Sequence, residues 1–293
     1  MAEIDVLKAK SEMLAYLTEE NCTMDPDLAD NEGVVVGQQV RIKVKNDSTR
    51  YGLSTVHSFF EDGKDDNDTR MRLSGRERFD ETDSFDAYLE GCDQVVLHDK
   101  TDSWLNDNDE FGEFLRETGT AHGEVVFCSP HGGVIENYTD HMADWAQDKM
   151  EGLSKDSSAW YCIGHQDKLG AFAAWHITST DISRESFPYL DQIGDRAFDY
   201  AVSFHGYGEA DIAVGGGALT VVKTEVKEAI EAVVGSAYDV NIVTSGPYAG
   251  VDPDNFVNWL GSDGVQIEMP YGARRDYGQA IAEAVAQVFA GKQ

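Results

Sequence analysis

Apolar residues recur along this chain with two different rhythms. From Val34 onward they come as short runs between polar turns: Val34-Val35-Val36, Val40-Arg41-Ile42-Lys43-Val44, Tyr51 to Phe60, Met71-Arg72-Leu73 and Gln94 to His98. Turn-formers such as Gly63-Lys64-Asp65-Asp66 separate them, so the pattern predicts short strands and a small β domain over residues 34–103. Ahead of it, Ile4, Leu7, Leu14 and Leu17 stand at near-helical spacing and predict a lead helix over 3–19. An acidic, turn-rich linker then completes residues 1–33. The second rhythm fills residues 104–293. Helices are expected at 108–118 (Phe111, Phe114, Leu115), from Thr139 or Asp140 to Met150, at Leu190 to Ala197, Thr220 to Val234, Asp254 to Leu260 and Ala273 to Phe289. Strands are expected at Val125 to Cys128, Trp160 to Ile163, Ala171 to Ile177, Tyr200 to His205, Val240 to Val243 and Gly264 to Met269. Such alternation predicts an α/β core with a mostly parallel or mixed sheet flanked by helices.

Candidate chemistry collects where these strands end. Ser129-Pro130-His131-Gly132-Gly133-Val134-Ile135-Glu136 follows the Val125 run, so His131 emerges where a strand gives way to a glycine loop, the usual place for ligands in α/β proteins. The two glycines allow a sharp turn that brings Glu136 back towards the imidazole, and a His with a Glu on one open point suits zinc. Tyr200 to Gly208 repeats the grammar of a strand ending in His-Gly and offers His205 as a third ligand. Gly264 to Met269 carries Glu268 at its tip.

The ordered series SPHGGVIE, WHITST (Trp175 to Thr180), SFHGYG, VGG (Val214 to Gly216) and GVQIE followed by Arg274 resembles the poly-γ-glutamate hydrolases, zinc-dependent enzymes of phages and bacteria with a core related to the zinc carboxypeptidases. It runs from about Val125 to about Ala290. The resemblance implies a zinc-carboxypeptidase-like core and Zn2+ held by His131, Glu136 and His205, with the fourth position left for water. It also implies Glu268 as the general base and Arg274 as the cation for a substrate carboxylate. Arg196, upstream of SFHG, is a second candidate cation, Tyr207 a candidate hydrogen-bond donor to a tetrahedral intermediate, and His176 a supporting residue. Two departures fall near the expected specificity end: Asn258-Trp259 replaces an Asn-Arg pair, and Met269-Pro270 replaces Leu-Ser. The implied activity is hydrolysis of γ-glutamyl amide bonds in a polymer or peptide. The alternatives are a non-catalytic virion or binding module on the same fold, and a hydrolase of another cell-surface peptide.

Charge sharpens the picture. Fifty-four acids against 23 Lys plus Arg give a formal net charge of −31, spread along the chain, which disfavours a nucleic-acid partner. A dispersed acidic surface suits molar salt, where the Debye length falls to about 3 Å, and points to a halophilic host or its virus. The hydrophobic content of 41% is that of a globular protein, and no apolar run reaches membrane-spanning length. The N-terminus carries no secretion-signal pattern, so a cytoplasmic or virion-associated protein is expected. Cys22, Cys92, Cys128 and Cys162 form no C-x-x-C pair; Cys128, three residues before His131, is more a core residue than a ligand. A docking or oligomerisation role is the expectation for the β domain.

Overall fold

The computed structural model describes residues 1–60, 67–90, 95–118 and 124–293. The first part of the chain closes a six-stranded barrel from β1 (Ala2–Lys8), β2 (Asn21–Met24), β3 (Gln39–Val44), β4 (Tyr51–Phe59), β5 (Asp68–Met71) and β6 (Phe85–Glu90), in the order β1-β5-β2-β4-β3-β6. Alternate residues point inward, among them Ile4, Val6, Cys22, Met24, Val40, Ile42, Val56, Ala87 and Leu89, and closure leaves the barrel without a free edge. Short helices α1 (Pro26–Glu32) and α2 (Leu73–Glu77) lie between its strands.

Several expectations are corrected here. No helix spans 3–19: Ile4 and Val6 alternate with exposed Glu3 and Asp5, so the period is two and the segment is β1, followed by one 3-10 turn at Met13–Ala15. Leu14, counted as part of a helical stripe, is exposed. Val34 to Val36 form no strand, since Val35 and Val36 face solvent and only Val34 is buried. The strand expected at Met71 to Leu73 ends at Met71, where α2 follows. The Gly63 to Asp66 turn and Cys92 lie outside the described residues, as does Gln94; of the Gln94 to His98 run, Leu97 makes only an isolated bridge to Gly112.

A seven-stranded sheet follows, built from β7 (Phe111–Glu117), β8 (Val125–Gly133), β9 (Ser158–Gly164), β10 (Phe198–Tyr207), β11 (Ile212–Gly215), β12 (Val240–Ile242) and β13 (Gly261–Pro270), in the order β12-β11-β13-β10-β8-β9-β7. The central β13-β10-β8-β9 ladder is parallel, β7 joins antiparallel at one edge, and β11 joins β13 antiparallel on the other side. Helices α3 (Asp102–Asn108), α4 (Thr139–Gly152), α5 (Ala171–Trp175), α6 (Pro188–Gly194), α7 (Thr220–Val234), α8 (Phe256–Leu260) and α9 (Tyr271–Ala290) connect the strands. Both faces are covered, which is why β8 reads as an unbroken apolar run. Val125 and Phe127 pack with α4, α7 and α9 residues such as Met142, Val226 and Ile281, while Val126 and Cys128 pack with Trp160, Trp175, Leu190 and Phe256 on the opposite face. Cys128 is thus a core residue, its thiol pushed up by burial.

Two further segments change type. Residues 111–117 form strand β7 in place of the expected helix. Its buried Glu113 accepts hydrogen bonds from Trp160 Nε1 (2.7 Å), Tyr189 N (3.0 Å) and Leu190 N (2.8 Å), so a charged residue that reads as solvent-facing points inward. Ala171–Trp175 is a helical turn, begun at Gly170 with φ of 84°, in place of the expected strand. A short apolar run carries no period that separates the two.

The barrel sits against α5 and the segment after it. A Cβ on Gly52 would lie 2.8 Å from Ala174 O, Tyr51 packs edge-on to Trp175 with ring centroids 5.6 Å apart, and Gln39 N donates to Ser186 Oγ at 2.7 Å.

Candidate metal centre

Parallel pairing brings the strand-end motifs together. His205 on β10 pairs in register with Glu268 on β13, and β8, carrying His131, is the other neighbour of β10. A register irregularity between Ser129 and Gly132 re-aims the end of β8 at His131. The loop beyond it is tight: Glu136 N donates to His131 O at 2.8 Å, and a Cβ on Gly132 would stand 2.3 Å from Asp140 Cβ and 2.4 Å from Cys162 O. Gly133 has φ of 70°, so the His-Gly-Gly sequence follows from backbone shape and space.

The Glu136 carboxylate is the focus of three imidazoles. His131 Nδ1 is 3.3 Å from Oε1, His205 Nδ1 is 3.7 Å from Oε2, and His176 Nε2 is 3.7 Å from Oε1. The remaining ring nitrogens are occupied. His131 Nε2 donates to Ile177 O (2.8 Å), His205 Nε2 meets Ser203 Oγ (3.1 Å), and His176 Nδ1 meets Glu20. A carbonyl can only accept, so Nε2 of His131 carries a hydrogen and, in the neutral ring, Nδ1 presents a lone pair; that buried atom has no hydrogen-bond partner. Gly206 N donates to Glu136 Oε2 at 2.8 Å.

Charge follows geometry. Burial opposes ionisation of Glu136, but His131 and His205 outweigh it and hold the carboxyl well below its usual range. Burial lowers His131, and the Glu136 charge and hydrogen bonds more than reverse this; at His205 burial prevails and the pKa falls. Glu268 is raised well above the ordinary value by burial and by the Glu136 charge. It accepts from Gln266 Nε2 at 2.8 Å, and Gln266 Oε1 in turn accepts from Asn255 Nδ2 at 2.7 Å. These groups face a cavity of about 840 Å³.

The other expected residues divide. Arg274, in the first turn of α9, is buried behind Gly206, where a Cβ would lie 2.3 Å from its guanidinium carbon; its Nη1 donates to Asn137 O at 2.9 Å. Tyr207 lines the cavity, but its hydroxyl donates to Asp211 O at 2.7 Å. Arg196 is not at the site. It precedes β10, whose first residue Phe198 is already about 23 Å from His205 at roughly 3.3 Å per residue, and it is ion-paired with Glu117. His176, expected as a support, stands with His131 and Glu136 in a group whose donor atoms lie within 4.8 Å of one another.

Glu20 of the barrel was not foreseen. Its carboxylate meets His176 Nδ1 and accepts from Thr178 N at 2.5 Å, while Arg78, also from the barrel, donates to Ala173 O (2.8 Å), His176 O (3.0 Å) and Leu53 O (3.2 Å). Burial pushes Glu20 up, and His176, Arg78 and Thr178 override it to hold the pKa at about 2, against an ordinary 4.5. A depressed folded-state value stabilises above the unfolded pKa and is lost as pH falls towards 2; this shift amounts to about 3 kcal/mol. Glu20→Gln should therefore lower the urea midpoint near neutral pH, and the gap to the parent should narrow on acidification to about pH 2. A constant gap across that range would show that the carboxylate charge is not what stabilises.

Two imidazoles and a buried carboxylate thus meet at the ends of parallel strands, the N and O donor types that a metal ion takes. The model of the family described as poly-gamma-glutamate hydrolase matches residues 102–284, more than half of the chain. The chain belongs to that hydrolase family. Among solved structures it is similar to zinc-free YNDL (24% identity, 66% of this chain and 93% of that one, TM-score 0.49) and to a bacteriophage poly-gamma-glutamate hydrolase (22%, 61% and 89%, 0.46). It is also similar to a metallo-carboxypeptidase from Pseudomonas aeruginosa (13%, 99% and 90%, 0.41). No curated protein matches the chain. No helix among the described residues is long and apolar enough to cross a membrane.

Proposed function

We propose that this protein is a zinc-dependent amidohydrolase that cleaves γ-glutamyl amide bonds. The observation that carries the reading is the convergence of His131 Nδ1 and His205 Nδ1 on the buried Glu136 carboxylate, at 3.3 and 3.7 Å. Two imidazoles, each with its other nitrogen engaged, and one carboxylate fit zinc's preference for N and O donors and for oriented histidines. A hydrolytic centre keeps one position open, so His131, Glu136 and His205 would hold the ion, and His176, placed by Glu20, would face the reacting group. When bound, zinc supplies Lewis acidity and makes water a better nucleophile.

The chain's own residues do the rest. Glu268 takes the proton of the attacking water and delivers it to the leaving amide nitrogen. Gln266 and Asn255 keep its carboxylate aimed. His176, its Nδ1–H held by the Glu20 carboxylate, presents Nε2 to the carbonyl oxygen and can donate there when the ring carries its second proton. Arg274, close to Glu136 and Glu268, moderates their mutual repulsion from behind Gly206. The test is a panel of γ-glutamyl and α-peptide substrates assayed with zinc in high salt; a metal-free, inactive and well-folded protein would support a binding module instead.

A high-salt setting belongs to the same proposal. With a net charge of −31, activity and melting temperature are expected to rise together from about 0.1 M to above 1 M salt. Best stability and activity in dilute buffer would overturn it.

A further inference from the structure

We propose that the barrel carries a subsite for a carboxylate of the substrate chain, built on Arg72, an inference that rests on the amidohydrolase reading above. Every unit of a γ-glutamyl chain brings a free α-carboxylate, and the protein that receives it has a net charge of −31. Among the described residues no Lys or Arg lines the catalytic cavity; Arg274 is buried behind Gly206, and Arg196 lies at the other end of β10. A cation stands just outside. A second hollow of about 370 Å³ shares Glu19, Glu20 and Thr178 with the cavity and is completed by Thr18, Arg72 and Ser74.

Arg72 joins β5 to α2 and is half-buried, with Nη1 donating to Leu17 O at 2.9 Å. No carboxylate among the described residues pairs with it, whereas Arg41, Arg50, Arg116 and Arg184 each hold one. In a chain with 54 acids against 23 Lys plus Arg, an arginine left without an acid is open to a carboxylate from outside, and a guanidinium anchored through one nitrogen keeps further N–H donors for it. The segment from Leu17 to Glu20 ties this group to the catalytic side. Leu17 O holds Arg72, the Glu20 carboxylate meets His176 Nδ1, and a Cβ on Gly75 would stand 3.3 Å from Glu19 O, so α2 packs closely on the same few residues. Of the two acids in the hollow, Glu20 has its charge taken up by His176 and Arg78, and Glu19 is exposed, where solvent and salt screen it. Glu20 and Thr178 form the wall shared with the cavity, so the carboxylate that reaches Arg72 belongs to a unit beyond the one at the scissile bond.

The test uses the full-length protein supplied with zinc, above about 1 M salt, where long-range repulsion between an acidic protein and an acidic chain is screened. It compares kcat/KM for γ-linked glutamate hexamers with that for the same hexamers amidated at every α-carboxylate. Arg72→Gln is expected to lower the ratio of carboxylate to amide substrate at least tenfold, mainly through the KM of the carboxylate hexamer. Arg72→Lys should restore part of it, because an ammonium keeps the charge without the fork. On γ-glutamyl dimers, too short to pass Glu20 and Thr178, the ratio should be the same in parent and variant. Each ratio is taken within one preparation, so a fraction of unfolded protein does not alter it. A hexamer ratio that Arg72→Gln leaves unchanged, or a shift as large on dimers as on hexamers, overturns the subsite while leaving the hydrolase reading standing. Failure of the parent to cleave any γ-glutamyl substrate overturns that reading instead. For a substrate that is not turned over, its Kd from calorimetry replaces kcat/KM: the carboxylate hexamer should bind the parent at least tenfold more tightly than Arg72→Gln, and equal affinity, or no binding to the parent, overturns the subsite.

Discussion

Glu268→Gln protein is expected to keep its fold and about one zinc per chain while its turnover falls by about 10²- to 10⁴-fold, the range typical of a lost general acid-base group. The substitution preserves shape and the Gln266 contact, since an amide oxygen accepts from Gln266 Nε2 as the carboxylate does. It removes only the proton acceptor. A general base stops working once it is protonated, so the parent should lose activity on the acidic side, and the variant should not show that limb. Zinc content and turnover measured on one preparation decide the matter. A variant that loses its metal makes Glu268 a ligand, and one that hydrolyses at nearly the parent rate removes it from the mechanism.

The second large effect concerns the ion. His205→Ala should reduce zinc from about one per chain to near zero after dialysis against a mild chelator, and Glu136→Gln should weaken retention as well, because a structured site with only two protein donors left binds far less firmly. His176→Ala should retain the ion, since its nitrogen faces Glu136 from a loop while His131 and His205 are fixed on strands. The reverse pattern, loss in His176→Ala and retention in His205→Ala, would make the group of His131, Glu136 and His176 the binding set. Circular dichroism on the same samples separates metal loss from unfolding.

The central sheet was legible because its strands are buried on both faces and read as short apolar runs. Val125 to Cys128, Tyr200 to His205 and Gly264 to Met269 each lie within the corresponding strand, and Thr220 to Val234 coincides with α7, whose apolar stripe has a clear helical period. Elements failed where a polar residue is buried or a run is too short to show a period. Glu113 points inward, so β7 looked like a helix face; Ala171 to Ile177 offered nothing to separate a turn of helix from a strand. At the site, strand-end motifs could be read because neighbouring parallel strands end side by side. Arg196 was misplaced because a residue upstream of such a strand lies at its opposite end. Glu20 left no trace in the sequence: its role comes from a contact with His176 across 156 positions of chain, and local pattern does not encode that.

Glu20 and Arg78 also constrain how such a gene can be cut and rejoined. The hydrolase-family segment begins at residue 102, after the whole barrel, yet the histidine at its centre is steadied by a carboxylate and the loop around it by a guanidinium that both lie upstream. A recombinant carrying that segment alone inherits His176 without its partner. A foreign leading domain joined to it would have to bring an acid to the same spot for His176 to keep that contact.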